Sequence, residues 1–244
     1  MSFKINANRT EQANCAQCPA RGITIFAHIS DAVLLKLPAP INRLLLKDQE
    51  VLCEQGRGDN YVYSIRRGWV KIIETTAEGT ARIVRLVGPE GILGVEHLGL
   101  PNTDCTHNAI AFGATDVCRI PLESMRYLMS NHPKVSESLI DKCVEQLNQS
   151  DQVIVQFSSG PLCDRITHVL DFLAHNTANN DGQFHLPIGA DFAALTGSTV
   201  ESVSRVLAEM KKEAQLIRCA NGLYRFTPLA QASAKAKPVR SKPL

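Results

Sequence analysis

The chain of 244 residues is 44% hydrophobic, 20% charged and 5% aromatic, with eight cysteines and a formal net charge of +2. That composition excludes global disorder, a collagen-like chain and a small disulfide scaffold, and no apolar run approaches the ~18 residues a membrane helix needs. The bland total hides an asymmetry: residues 211–244 hold eight Lys/Arg against one Asp/Glu, a net of +7, so the first 210 carry −5, an acidic body with a basic end suited to nucleic acid.

The first residues, Met1 to Asn14, are polar and lack the apolar core of an export signal. A cytoplasmic protein with reduced thiols is therefore expected, and Cys15-Ala-Gln-Cys18-Pro19 suits a metal or redox site better than a structural bridge. An apolar stretch from Ile23 to Leu37 completes an N-terminal cysteine-containing segment, residues 1–38. Residues 39–132 read as a β-rich domain. Short β-prone runs (61–65, 69–73, 81–87, 109–112, 117–120) alternate with turn signals at Gly56 to Asp59, Arg67-Gly68, Glu78-Gly79 and Gly88 to Gly91. Frequent glycine between short strands favours a roll or barrel over a parallel sheet.

Residues 133–159 are predicted to form one long helix. Pro133 suits a helix start, and neither proline nor glycine interrupts Lys134 to Ser159. Leu139, Cys143, Leu147, Asp151 and Ile154 recur at a spacing of three or four, as the seam of a homodimer would. A helix simply covering the roll is the other reading of the same pattern. Gly160-Pro161 then marks a boundary; residues 160–228 read as a small helical unit with a hairpin, and 229–244 as a disordered basic tail.

The segment from Gly189 carries the most information. Counted from there, Ala193 is the fifth residue, Gly197 the ninth, and Val203 and Val206 the fifteenth and eighteenth. This is a helix-turn-helix pattern: a small residue where helices cross, a glycine for the left-handed turn, and two apolar residues locking the second helix. Ser198 or Thr199 can cap that second helix. Glu201, Ser204 and Arg205 share its outer side and have the chemistry for base edges, a carboxylate for cytosine N4 and a guanidinium for guanine O6 and N7. The competing reading of Glu201 and Arg205 is an ordinary surface ion pair. Next, Asn221-Gly222 between two alternating runs predicts a hairpin, a wing behind the recognition helix. Lys211, Lys212, Arg218 and Arg225, with Ser198 and Thr199, then become contacts to the backbone of double-stranded DNA.

Along nearly its whole length the chain resembles the CRP/FNR family of bacterial transcription regulators. The resemblance implies an α+β fold: a cyclic-nucleotide-binding-like β-roll, a long dimerisation helix and a C-terminal winged helix-turn-helix. Thr199-Val-Glu-Ser-Val-Ser-Arg205 is similar to the family's recognition helix, and Val200, Glu201, Ser204 and Arg205 look like the FNR branch. That branch implies a TTGAT/ATCAA palindrome read by a symmetric dimer, with RNA polymerase as a further partner and activation as the output. It is not an enzyme family, and no acid/base pair or phosphate-binding loop is evident in the chain.

The family's cyclic AMP site pairs Gly-Glu with a following Arg-Ser. Here Gly94-Val-Glu96 lacks that partner, so cyclic AMP is not expected. FNR senses oxygen with a [4Fe–4S] cluster on four cysteines. Cys15, Cys18 and Cys118 match three of them, while the remaining ligand position falls on Thr24. His28, Asp31, Cys53 or Cys105 could supply a fourth ligand through a different path. Three readings of these cysteines stand side by side: a cluster with an unusual ligand, a metal-free thiol/disulfide switch, and a packing role. Cys53, Cys143, Cys163 and Cys219 are read as packing residues. Two functional alternatives also remain: a family member with another small-molecule ligand or none, and a cyclic-nucleotide-binding regulatory subunit that does not bind DNA.

Overall fold

The computed structural model describes residues 10–76, 78–99 and 104–228; the basic tail expected over 229–244 lies outside them. Two compact units divide the chain, Met1–Ile154 and Val155–Leu244. The division falls inside the long helix rather than at Gly160, because Phe157 is buried near that helix's end, edge-to-face with Phe172 of the second unit.

Two long bent strands organise the first unit. Strands β1 (Thr10–Gln12), β2 (Asn42–Leu46), β3 (Val51–Cys53), β4 (Tyr61–Thr75), β5 (Ala81–Val87), β6 (Ile92–Leu93) and β7 (Asn108–Pro121) form one sheet. Its order is β1-β2-β7-β4-β5, with β3 also on β7 and β6 also on β4, and these strands all pair antiparallel. Two expected breaks turn out to be bends within strands. Arg67-Gly68 is no turn: β4 runs through it with register shifts on either side. Gly68, at φ +84°, lies so close to β7 that a Cβ would come within 2.4 Å of the Ala114 carbonyl oxygen. Likewise the runs 109–112 and 117–120 are one strand, which passes through Gly113 at φ 81°. Glycine read as punctuation was instead a bulge device, which bends a strand without ending its pairing.

The N-terminal segment is not a separate appendage. Its β1 pairs with β2, and Ile25, Phe26 and Ile29 enter the same apolar cluster as Val62, Cys118 and Ile120 of the sheet. Short helices α1 (Asp31–Leu34) and α2 (Glu96–Gly99) precede α3 (Leu122–Asn131) and α4 (Pro133–Ser158). Met125 and Leu128 of α3 and Val135 and Leu139 of α4 complete that cluster.

This corrects the expected seam. Leu139 is buried in its own roll, and Cys143 is half-buried against it. The apolar stripe exposed on α4 starts one residue later: Ile140, Val144, Leu147 and Ile154, with the exposed Asp151 completing the spacing. The apolar residues at 139 and 140 both fit a helical period, and only the roll's position decides which of them it covers.

In the second unit, α5 (Leu162–Asn176) places Ile166, Val169, Leu170 and Leu173 inward. They share a buried interior with α6 (Gly189–Thr196), α7 (Val200–Lys212) and the hairpin β8 (Leu216–Arg218) and β9 (Tyr224–Phe226) through Phe192, Leu195, Val203, Met210, Leu216 and Phe226. Asn221 and Gly222 both take positive φ, 58° and 73°, as a tight hairpin link requires. Cys163, read as a packing residue, is instead exposed near the start of α5.

Candidate functional site

Gly197, at φ 61°, makes the left-handed step that ends α6, and its N–H caps back to the Ala193 carbonyl. Thr199 then starts α7: its Oγ1 accepts from the Ser202 N–H at 3.2 Å. Ser198 is instead turned toward Thr196, with hydroxyl oxygens 2.7 Å apart. Val203 is fully buried and Val206 half-buried, while Glu201, Ser204 and Arg205 are all exposed. The packing residues thus fix one side of α7 and leave the other side free for a ligand. Glu201 is held below its usual carboxyl range by its own N–H and then by the Thr199 hydroxyl, so it is a charged acceptor.

The cations follow at the other end of the helix. Lys211 and Lys212 are exposed in its last turn, and the Lys211 Nζ stands 5.3 Å from the centre of the Tyr224 ring on β9. Arg218, opposite Tyr224 in the hairpin register, is exposed. Arg225 is also exposed and donates to the Asp181 carbonyl at 3.1 Å. Helix and hairpin therefore present base-edge chemistry and cations from one small unit.

Cys15, Cys18 and Cys118 form a second candidate site. They lie within electrostatic reach of one another, and Cys15 packs against the apolar cluster that contains Cys118. Burial pushes the Cys118 thiol up to about 12, against the pull of Arg66. Cys15 is raised first by burial and then by Cys18, while Arg21 and Arg66 oppose the shift. Arg66 is anchored by Asp116 at 3.3 Å, and Asp116 also grips Arg43 with bonds of 2.9–3.2 Å. Among the described residues the buried Arg66 Nε has no hydrogen-bond partner.

A cluster held by four thiolates does not fit these residues. Thr24, at the position of the fourth ligand, is buried and uses its hydroxyl locally, donating to the Arg21 carbonyl at 3.0 Å. Asp31 pairs with Arg21, and His28 is exposed. Cys53, read as a packing residue or a candidate fourth ligand, and Cys105, a candidate fourth ligand, are bonded to each other. Three thiols remain where four hold a [4Fe–4S] cluster.

A cavity of about 210 Å³ opens in the roll, lined among others by Asp59, Arg85, Glu96, His97, Gln146 and Leu147. The sequence reading missed this group. Asp59 stood inside an expected turn and Arg85 inside an expected strand, and nothing local announces that they share a wall.

A model of the cyclic nucleotide-binding domain matches residues 43–132. Over 220 residues the chain is 26% identical to the transcriptional activator protein FnrA of Stutzerimonas stutzeri, with 88% of each chain covered. Along most of its length the chain is thus similar to transcriptional regulators of the CRP/FNR family. Solved structures share the fold of this chain. A CRP-family transcriptional regulator from Thermus thermophilus has a TM-score of 0.66 at 22% identity, covering 79% of this chain and 95% of that one. FixK2 from Bradyrhizobium japonicum has a TM-score of 0.65 at 18% identity, with coverages of 80% and 96%. The relatives it is similar to are transcriptional regulators. Among the described residues no helix is long and apolar enough to cross a membrane.

Proposed function

We propose that the protein is a sequence-specific, double-stranded-DNA-binding transcription regulator that works in the cytoplasm as a homodimer and responds to oxygen or redox state. One observation carries the DNA reading. Glu201, Ser204 and Arg205 are exposed on a helix whose other side is fixed by Val203 and Met210, and a left-handed glycine precedes it. In this reading the three residues address base edges in the major groove of a TTGAT/ATCAA palindrome. Ser198, Thr199, Lys211, Lys212, Arg218 and Arg225 supply phosphate contacts that add affinity with little sequence information. Likeness to an activator supports activation as the output, with RNA polymerase as the protein partner.

The dimer would form along Ile140, Val144, Leu147 and Ile154, which are exposed and apolar on α4. Asp151 falls within that stripe, where two like charges would meet unless they lie at its edge. The input would be the thiol state of Cys15, Cys18 and Cys118. Their surroundings support the coupling, because Cys118 shares its apolar cluster with Val135 and Leu139 of α4. A change at the thiols would shift the balance between two packings of α4 and so the spacing of the two recognition helices. A second reading, a small ligand in the roll, is favoured by Arg85 in the cavity wall, which offers a guanidinium that no neighbouring sequence motif announces.

The test is fluorescence anisotropy on a labelled palindrome, with protein purified without air and then oxidised. Preference for the palindrome should be lost in Arg205→Ala while the dimer persists, and wild-type affinity should differ between the reduced and oxidised states. Retained preference in the variant would remove the recognition helix from the reading. Equal affinity in both states would remove the redox input and leave DNA binding standing. An anaerobic preparation is expected to be colourless; a visible iron–sulfur spectrum would show that a ligand outside the three thiols completes a cluster.

A further inference from the structure

Cys53 and Cys105 are 52 residues apart in sequence, yet the fold bonds their sulfurs, with Cα atoms 6.6 Å apart. The main chain itself fixes this approach. The Cys105 N–H donates to the Arg57 carbonyl at 2.8 Å, and its own carbonyl accepts from the Gly56 N–H at 2.9 Å. Gly58 also bridges to Asp104. Cys53 closes β3 on the facing side, and the resulting Cα separation is one that a disulfide can span.

The surroundings are chemical rather than inert. A carboxylate oxygen of Asp59 lies within 4.8 Å of both sulfurs. The Tyr63 hydroxyl donates to Asp59 at 2.8 Å, and His97 Nε2 stands 4.0 Å from the Cys105 sulfur. Cys53, Asp59 and His97 line the cavity, whose wall also includes Cys143, Gln146 and Leu147 of α4. Cys105 itself is buried, whereas Cys53 is only half-buried and so open to a small reagent.

We propose that Cys53 and Cys105 form a reversible dithiol–disulfide site, oxidised by a small peroxide that enters the roll cavity, and distinct from the group Cys15, Cys18 and Cys118. Asp59 is placed to accept the Cys53 thiol proton. The thiolate attacks one peroxide oxygen, the O–O bond breaks, and the departing oxygen takes a proton and leaves as water or alcohol. Cys53 is then a sulfenic acid. The Cys105 sulfur attacks it, the S–O bond breaks, and the hydroxyl leaves as water with the Cys105 proton. Two electrons pass from the sulfur pair to the peroxide. Exchange with an external dithiol reverses the change. Burial pushes the Asp59 carboxyl up, against the Tyr63 hydrogen bond, which favours its role as a proton acceptor.

The bond ties the end of β3 to the segment entering β7, across the cavity wall from α4. Gln146 of α4 exchanges two 3.0 Å hydrogen bonds with the main chain of Ile92, another lining residue. The pair is therefore adjacent to the contact between the roll and its long helix.

The experiment uses the full chain, reduced and stripped with a chelator, then desalted under nitrogen and treated with stoichiometric hydrogen peroxide. Alkylation, digestion without reductant and mass spectrometry should give one cross-linked product joining the Cys53 and Cys105 peptides, two hydrogens lighter than their sum. Dithiothreitol should reverse it. Cys53→Ser and Cys105→Ser should each lose the cross-link and leave labelling of Cys15 and Cys18 unchanged. If either variant fails to fold, the wild-type map decides alone. The proposal is overturned if both cysteines stay alkylatable while peroxide consumes other thiols. It is equally overturned if one equivalent of zinc shields them, or if urea-unfolded chain forms the cross-link in equal yield. None of these readings depends on DNA binding.

Discussion

The second unit and the roll solve opposite problems. In the second unit the functional face and the packing face belong to one helix: Val203 is buried, while Glu201, Ser204 and Arg205, one to two residues away, are exposed. In the roll, the groups that meet come from far apart in sequence, as with Cys53 and Cys105 or with Cys118 and Cys15. One site is written in a local period and the other in strand register. Mutations in the two regions should therefore fail in different ways.

The largest effect should come from Phe192→Ala. Its fully buried ring is central to the second unit, and losing it should cost that unit about 3–5 kcal/mol. Calorimetry should show the loss in the transition of the second unit and spare the roll; one transition shifting as a whole would break the contrast between the units. Next, Gly68→Ala in β4 combines a left-handed φ with a Cβ 2.4 Å from the Ala114 carbonyl oxygen. It should destabilise the roll by at least about 1–3 kcal/mol while α7 keeps its helicity, as urea unfolding followed in both units would reveal.

Arg205→Ala should leave stability untouched and remove about 1–3 kcal/mol of base discrimination per half-site, read as the ratio of affinities for matched and altered palindromes. Thr199→Ala takes away the cap on α7 and should lower the second unit's stability by about 1 kcal/mol, measurable as a shifted urea midpoint.

A further effect depends on pH. The Cys118 thiol is pushed up to about 12 by burial, whereas an unfolded cysteine ionises near ~8.5. The unfolded chain thus releases this proton first. Stability tied to Cys118 is complete below about 8.5 and declines as pH rises from there toward about 12. Cys118→Ala should flatten that alkaline decline relative to wild type. Parallel slopes in the two proteins would show that Cys118 is not held neutral by the fold.

These contrasts explain how much of the molecule was legible in advance. The Gly197 turn, the Thr199 cap and the Asn221-Gly222 hairpin depend on backbone preferences within a few residues, so their residue types announce them. Gly68 and Gly113 carry the same left-handed preference, yet they bend strands instead of ending them. What differs is the partner strand running past the bend, and no local window contains it. The exposed apolar stripe on α4 starts at Ile140 and not at Leu139 for a similar reason: helical period places both residues near the covered edge, and the roll takes Leu139.

The sequence alone determined the acidic body and basic end, the order of roll, long helix and C-terminal helical unit, and the identity of the residues facing outward on α7. Each of these depends on composition or on spacing within one element. Only the tertiary structure decided which cysteines meet. It leaves Thr24 engaged in its own turn, brings Cys118 into the same cluster as α4, and joins Cys53 to Cys105 beside the cavity. Contacts between distant segments follow from strand register and core packing, and a side chain's type carries no record of the partner that register will supply.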